Sequence, residues 1–219
     1  MMTDRNLTSQ GAERKQELLD AAAHLFAEQG YAATRVVDIV ERAGVAKGLF
    51  YWYFQNKEAV FCELANDMRH RLRRHQRAAI DEDAPALVRL VQGAVASVQF
   101  MAEHAHFFSL LEGEGRKLPD VLRRGTEQHV RDVTAVILEG QADGSITVDD
   151  PAERLAMAVV GMVSQFSRSH RTGGVDMSLD DLSAFVARVV ARILAADEPA
   201  ARQAVAAIGS PARAPVATG

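Results

Sequence analysis

The chain has 219 residues, 48% of them apolar, and a formal net charge of −4. That apolar content supplies the core of one domain, or of a small domain joined to a larger one; the mildly acidic balance speaks against a general nucleic-acid binder, so any such contact must rest on a local surface. A single cysteine, Cys62, excludes an intramolecular disulfide and reads as a core thiol; no apolar run approaches the ~20 residues of a membrane span, and the polar N-terminus lacks a signal-peptide core, which predicts a cytoplasmic protein.

Residues 1–11 read as a disordered arm. From Ala12 to Gln29 the apolar positions Leu18, Ala22, Leu25 and Phe26 form one helical stripe. Gly30 predicts a left-handed C-terminal cap, and Thr34 is placed to N-cap the next helix, whose stripe is Val36, Ile39, Val40 and Ala43. Gly44 opens a tight turn into a third short helix over Ala46 to Tyr53, which Gln55-Asn56 breaks. A long fourth helix runs from Lys57 to Asp81, and Pro85 fits the first turn of a fifth that reaches Ala105. A short apolar segment, His106 to Leu111, ends at Gly113-Glu114-Gly115. Pro119 opens a helix to Gln141, and Asp149 or Asp150 caps one with Pro151 in its first turn, continuing to Arg171. Ser178 caps the last helix, to Ala196, with Asp180 and Asp181 in the first turn where the dipole favours acids. Residues 197–219, rich in Ala, Pro and Gly, read as a disordered tail, in which Ala201 to Ile208 is weakly amphipathic. No repeat or convincing strand appears, so the fold class is all-α with about nine helices.

The stretch Thr34 to Phe54 has the layout of a helix-turn-helix, whose second helix enters the major groove of DNA. Its residues divide by face. Phe50 and Phe54, at i and i+4, point with Ile39, Ala43 and Val45 toward one small core against Leu25 and Phe26. Lys47, Gly48, Leu49, Tyr51, Trp52 and Tyr53 are left for other work. Lysine supplies the charge that dominates DNA affinity, a tyrosine hydroxyl can donate to a phosphate oxygen, and glycine permits close approach. Lys57 and Thr34 lie at helix N-termini, where backbone N–H groups favour an anion. Packing inside a core is the competing reading for the tyrosines.

Residues 14–61 carry helix–Gly-Tyr-x-x-Thr, then Ala-Gly-Val, then Lys-Gly-x-Phe-Tyr-x-Tyr-Phe, then Asn-Lys-Glu. This run resembles the DNA-binding domain of the tetracycline-repressor (TetR) family. The resemblance implies a helix-turn-helix domain over residues 12–58 and an all-helical ligand-binding and dimerisation domain over 59–196. It implies phosphate contacts for Thr34, Tyr51 and Lys57, and a groove-facing role for Lys47, Gly48, Leu49 and Tyr53. Trp52 matches a variable position, left between groove edge and domain packing. The chain departs from many relatives at Val45-Ala46, where a Ser or Thr often begins the recognition helix, so Ala46 is in doubt as a contact. The recognition helix also has no Arg, Asn or Gln to read bases bidentately, so readout is expected from Lys47, from thymine-methyl contacts by Leu49, and from DNA shape.

The last two long helices suit dimerisation. The helix over 150–171 is apolar nearly all round, with Leu155, Val159, Met162, Val163 and Phe166 in one stripe, and that over 179–196 behaves likewise through Leu182, Phe185, Val186, Val189, Val190, Ile193 and Leu194. The family resemblance implies the same homodimer, paired as a four-helix bundle. Among the middle helices the candidate effector-pocket residues are Phe100, Met101, His104, Phe107, Phe108, Leu111, Val133, Ile137, Met162, Gln165 and Phe166. Each is individually compatible with core packing, and together they suit a small, largely apolar effector. His104 and His106 do not share a helix face, so no metal site and no cofactor are expected. The arginine-rich run Met68 to Arg77 reads as a solvated face, with a phosphate-bearing ligand as the lesser alternative. No catalytic order of Ser, His and Asp, metal spacing or phosphate loop is present, so no enzyme is expected. The expected function is a ligand-responsive regulator binding operator DNA, most often a repressor in this family; the alternatives are an activator of the same fold or a carrier of apolar molecules.

Overall fold

A computed structural model describes residues 9–115, 119–195 and 198–207, which form ten helices and no strand. They divide into two compact units: Met1–His70 with His106–Leu122, and Arg71–Ala105 with Arg123–Gly219. The domain boundary expected after residue 58 is therefore not where compactness divides. Val60, Phe61 and Ala65 of the fourth helix are buried, and the first two belong to the core of the first unit.

In the first unit, α1 (Ser9–Ala33) begins inside the arm expected to be disordered and breaks at Gly30, whose φ of 82° and ψ of 159° suit glycine. The positive φ matches the expected cap, but the ψ lies outside the left-handed helical basin, and the chain makes a further turn after the kink. α2 (Val36–Arg42) is capped by Arg35, not by Thr34. The Thr34 hydroxyl points back and donates to the Gly30 carbonyl at 2.8 Å. The Asp38 carboxylate instead accepts the Arg35 backbone N–H at 2.8 Å and the Arg35 guanidinium at 2.7 Å. These bonds hold the Asp38 carboxyl below its usual range. Gly44, at φ 65°, turns the chain into α3 (Lys47–Tyr53), and α4 (Lys57–Ala79) follows. α6 (Ala105–Gly115) sends Leu110 and Leu111 against this unit's core. That core is built on rings: Phe26, Phe50, Phe54 and Phe61 are buried, and Tyr31 lies 5.2 Å from both Phe26 and Phe61, centroid to centroid.

The second unit is aliphatic. α5 (Ala86–Glu103) and α9 (Leu179–Leu194) share a core of Leu87, Val91, Val98, Leu182, Val186, Val190 and Leu194, to which α8 (Ala152–Arg171) adds Ala156, Val159 and Val163. Pro151, expected in the first turn of α8, is its N-cap, whereas Ser178 caps α9 as expected, accepting the Asp181 N–H at 3.1 Å. α7 (Pro119–Asp143) carries Gly140, where a Cβ would lie 2.7 Å from the Ile146 side chain and 2.9 Å from that of Ala86. Only glycine lets the loop after α7 lay Ile146 that deep. A tenth helix, α10 (Glu198–Ala206), occupies part of the expected disordered tail and buries Ala201 and Ala204 against α9 and α5. Two alanines one turn apart leave almost no periodic signal in an alanine-rich segment. The remainder of the expected tail, residues 208–219, lies outside the described residues, as does most of the expected arm, residues 1–8.

Candidate nucleic-acid interface and effector cavity

α3 is two turns long, and its two faces are distinct. Phe50 is fully buried and Phe54 nearly so, which pins the helix to α1, α2 and α4. The opposite side exposes Lys47, Gly48, Tyr51 and Trp52, the last two each about half exposed at 52% and 51%. A Cβ at Gly48 would meet nothing within 4 Å, so glycine there relieves no crowding inside the protein. Leu49 and Tyr53 are half-buried between the two faces. Trp52 sits on the exposed side, its ring perpendicular to that of Tyr53 at 4.5 Å.

Three residues that family resemblance assigns to DNA are engaged within the protein. Tyr53 donates its hydroxyl to the Gly11 carbonyl at 2.8 Å, tying α3 to the first turn of α1. Thr34 is 1% exposed, donates to Gly30 and accepts from the Gln29 amide. Lys57 donates its ammonium to the carbonyls of Tyr31, Ala32 and Thr34, and lies 4.2 Å from the centroid of the Tyr31 ring. In this conformation neither Thr34 nor Lys57 is presented outward. Lys47 and Tyr51 are, and Gly48 and Trp52 flank them. The sequence motif locates the surface but does not show that the acceptors of Lys57, Tyr53 and Thr34 are backbone carbonyls, which have no sequence signature.

The second unit holds a cavity of about 420 Å³. Its walls are Ile80, Leu90, Met101, Val133, Val136, Val159, Val160 and Val163. The lining also carries the polar or charged residues Gln76, Arg77, Glu82, Arg89, Ser97, His129, Asp132 and Ser164, several of them paired. The Gln76 amide donates to the Ser97 hydroxyl at 2.8 Å, Asp132 pairs with Arg73 at 2.8 Å, and Arg89 pairs with Glu139 at 2.5 Å. Burial holds the His129 imidazole below its ordinary pKa, with Asp132 opposing and Arg73 adding to the shift. Arg77 and Glu82, of opposite sign, complete the charged lining.

Of the candidate pocket residues, Met101 and Val133 line this cavity. The others are placed elsewhere. Phe100 is buried, with the His104 ring stacked on it at 4.1 Å and His75 at 5.5 Å. Ile137 is wholly buried in the aliphatic core, and Met162 and Phe166 pack against that core. Gln165 is exposed and donates to Ser169. Phe107, Phe108 and Leu111 belong to the first unit, where Leu111 joins the ring-built core, so they are corrected away from a cavity formed by the second. The valines of α8 that form the wall were legible as an apolar helix but not as a cavity lining. Among the described residues no group of three or more His, Cys, Asp or Glu is placed to hold a metal ion, and no helix is long and apolar enough to cross a membrane. Cys62 is half-buried, and its burial raises the thiol pKa, consistent with an unreactive packing role.

Known proteins share this arrangement. The model of the tetR family of bacterial regulatory proteins matches residues 18–64, from the middle of α1 into α4. The HTH-type transcriptional repressor KstR2 of Mycolicibacterium smegmatis is 34% identical over 148 residues, 64% of this chain and 71% of that protein. The HTH-type transcriptional regulator YdgC of Bacillus subtilis is 29% identical over 174 residues, 77% of this chain and 87% of that one. Among solved structures, a TetR-family regulator from Rhodococcus sp. superposes with a TM-score of 0.72 at 23% identity, over 84% of this chain and all of that one. At that identity the likeness speaks for the fold alone.

Proposed function

From the premise that this chain belongs to the tetR family of DNA-binding transcriptional regulators, we propose that it is a repressor that acts in the cytoplasm as a homodimer and is released from its operator by a small, largely apolar effector bound in the 420 Å³ cavity of the second unit. The observation that carries the DNA half is the division of α3 into a face pinned by Phe50 and Phe54 and a face offering Lys47, Gly48, Tyr51 and Trp52. Phosphate contacts come from Lys47 and Tyr51, and close approach comes through Gly48. Leu49, half-buried at the edge, and Trp52 supply apolar area toward thymine methyl groups.

Support for the dimer comes from α8 and α9. Their outward positions include Ala158, Gly161 and Gln165, and the half-buried rings of Phe166 and Phe185 touch at 4.9 Å between them. Small residues beside apolar rings suit close helix pairing, and a two-fold dimer would set two copies of α3 on two half-sites.

The cavity supports an effector held by its apolar body. Gln76 and Arg77 of the cavity lining belong to α4, and Ile80 directly follows it; the first turns of α4 put Val60 and Phe61 in the core of the first unit. An effector that favours one placement of α4 shifts the population of DNA-competent dimers, by no more than its differential affinity for the two states. Val160→Phe, which fills the cavity from α8, tests the whole reading. Duplex binding by the variant should persist in a mobility-shift assay, while release by apolar compounds that displace the wild-type protein is lost. If the filled variant still responds, the effector lies elsewhere.

A further inference from the structure

We propose that Lys57 is a positioning residue that staples the DNA-reading head together, and not one of its phosphate ligands; the inference rests on the DNA-binding reading above. An ammonium has three N–H donors and no acceptor. Those of Lys57 are directed at three carbonyls, of Tyr31, Ala32 and Thr34. These carbonyls lie just after the kink at Gly30, in the last turn of α1 and one residue beyond its end at Ala33, where the helical ladder stops and the last carbonyls lack intrahelical N–H partners. The end of a helix is also its negative pole, which a cation stabilises. The Tyr31 ring, 4.2 Å from the ammonium, adds a cation–π contact. That ring in turn packs on Phe26 of α1 and Phe61 of α4.

The staple spans the pieces whose mutual placement sets the recognition helix. Lys57 starts α4. Tyr31 and Ala32 lie in the last turn of α1. Thr34 immediately precedes Arg35, the N-cap of α2, and α2 hands the chain to α3 through the Gly44 turn. Thr34 is bound from both sides: its carbonyl by Lys57 and its hydroxyl to Gly30. To reach a phosphate, Lys57 would have to abandon the part-buried carbonyls of Tyr31 and Thr34. Lys47, by contrast, is exposed on α3.

Salt dependence separates the two roles, because a merely architectural residue does not change the number of counterions released. The probe is a short duplex enriched on the wild-type protein from a random pool, its affinity measured across a range of salt. For Lys57→Gln the expected result is affinity lower by about tenfold at every salt, with the wild-type slope of log K against log salt. For Lys47→Gln the slope should become shallower by about 0.9, the loss of one phosphate contact. A shallower slope for Lys57→Gln, or unchanged affinity, overturns the proposal. Lys57→Arg keeps the charge but spreads its donors in a plane; it should fail to restore affinity, and full restoration also overturns the proposal.

Should the Lys57 variants not fold, the wild-type protein answers through side-chain ammonium NMR. The Lys57 signal should be protected from exchange in the free protein and should not move when duplex is added, while that of Lys47 moves. A duplex-induced shift at Lys57 defeats the inference. If the wild-type protein selects no duplex from the pool, it is the DNA-binding reading that fails, not this one alone.

Discussion

The two units are built from different materials. The first packs Phe26, Phe50, Phe54 and Phe61 with Tyr31 against them, whereas the core of the second is Ala, Val, Leu and Ile. A small helical head has little interior, and rings deliver much buried area from few residues with few rotamers to freeze. The result is a rigid mount for α3. The larger unit uses alanine at Ala86, Ala94, Ala156, Ala187 and Ala191 to bring helices close, and valine where they stand apart. Short side chains that do not meet across α4, α5, α7 and α8 leave the 420 Å³ cavity. A presenting surface needs stiffness, and a receiving one needs room; the choice of core residues follows that division.

Four substitutions would break or sharpen this contrast. The largest effect belongs to the ring core. Phe50→Ala should cost about 3–5 kcal/mol in chemical denaturation and abolish duplex binding, because α3 loses its central pin. A loss below about 1 kcal/mol would mean that the rings are not what holds the head. Next is the closest approach in the aliphatic unit. Gly140→Ala should cost about 1–3 kcal/mol through its clash with Ile146 and Ala86, and Gly140→Ala with Ile146→Val should recover part of it. No recovery would place the strain elsewhere.

The third effect is a pH dependence. Burial depresses the His129 pKa, so the unfolded chain takes up the proton first. Its contribution is fully present above the ordinary value of 6.5 and is lost as pH falls through the lower folded value. His129→Gln should flatten the melting temperature against pH in that window, and an unchanged profile would remove His129 as the cause. The smallest effect is at the exposed face. Trp52→Phe should leave stability within about 0.5 kcal/mol while weakening duplex binding.

Legibility in the sequence followed the same division. Phe50 and Phe54, four residues apart among other rings, were readable as the buried face of a short helix, and Lys47 and Tyr51 as its outer one. Thr34 and Lys57 were readable as motif positions, but motif and direction are separate things. Their hydrogen-bond acceptors are backbone carbonyls between the Gly30 kink and Thr34, placed by where α1 turns and ends and not by any side chain. The aromatic residues of the middle helices suggest a pocket, yet Phe107, Phe108 and Leu111 belong to the first unit, and the apolar wall of the cavity is mainly valine. Valine on a helix that is apolar all round carries no mark of which side faces empty space. Ala201 and Ala204 were missed for a related reason: the residue best suited to close packing is also the commonest in a tail rich in alanine.

Trp52 is the only tryptophan in the chain, and it stands half exposed on the recognition helix. The protein therefore has an intrinsic fluorophore at the surface proposed to meet DNA and none in the unit that holds the cavity. Its emission reports on one place. A duplex that covers α3 should change that emission directly, whereas a compound entering the cavity can alter it only by rearranging the head. One optical channel, titrated first with duplex and then with effector, thus distinguishes occupancy of the cavity from its transmission to α3.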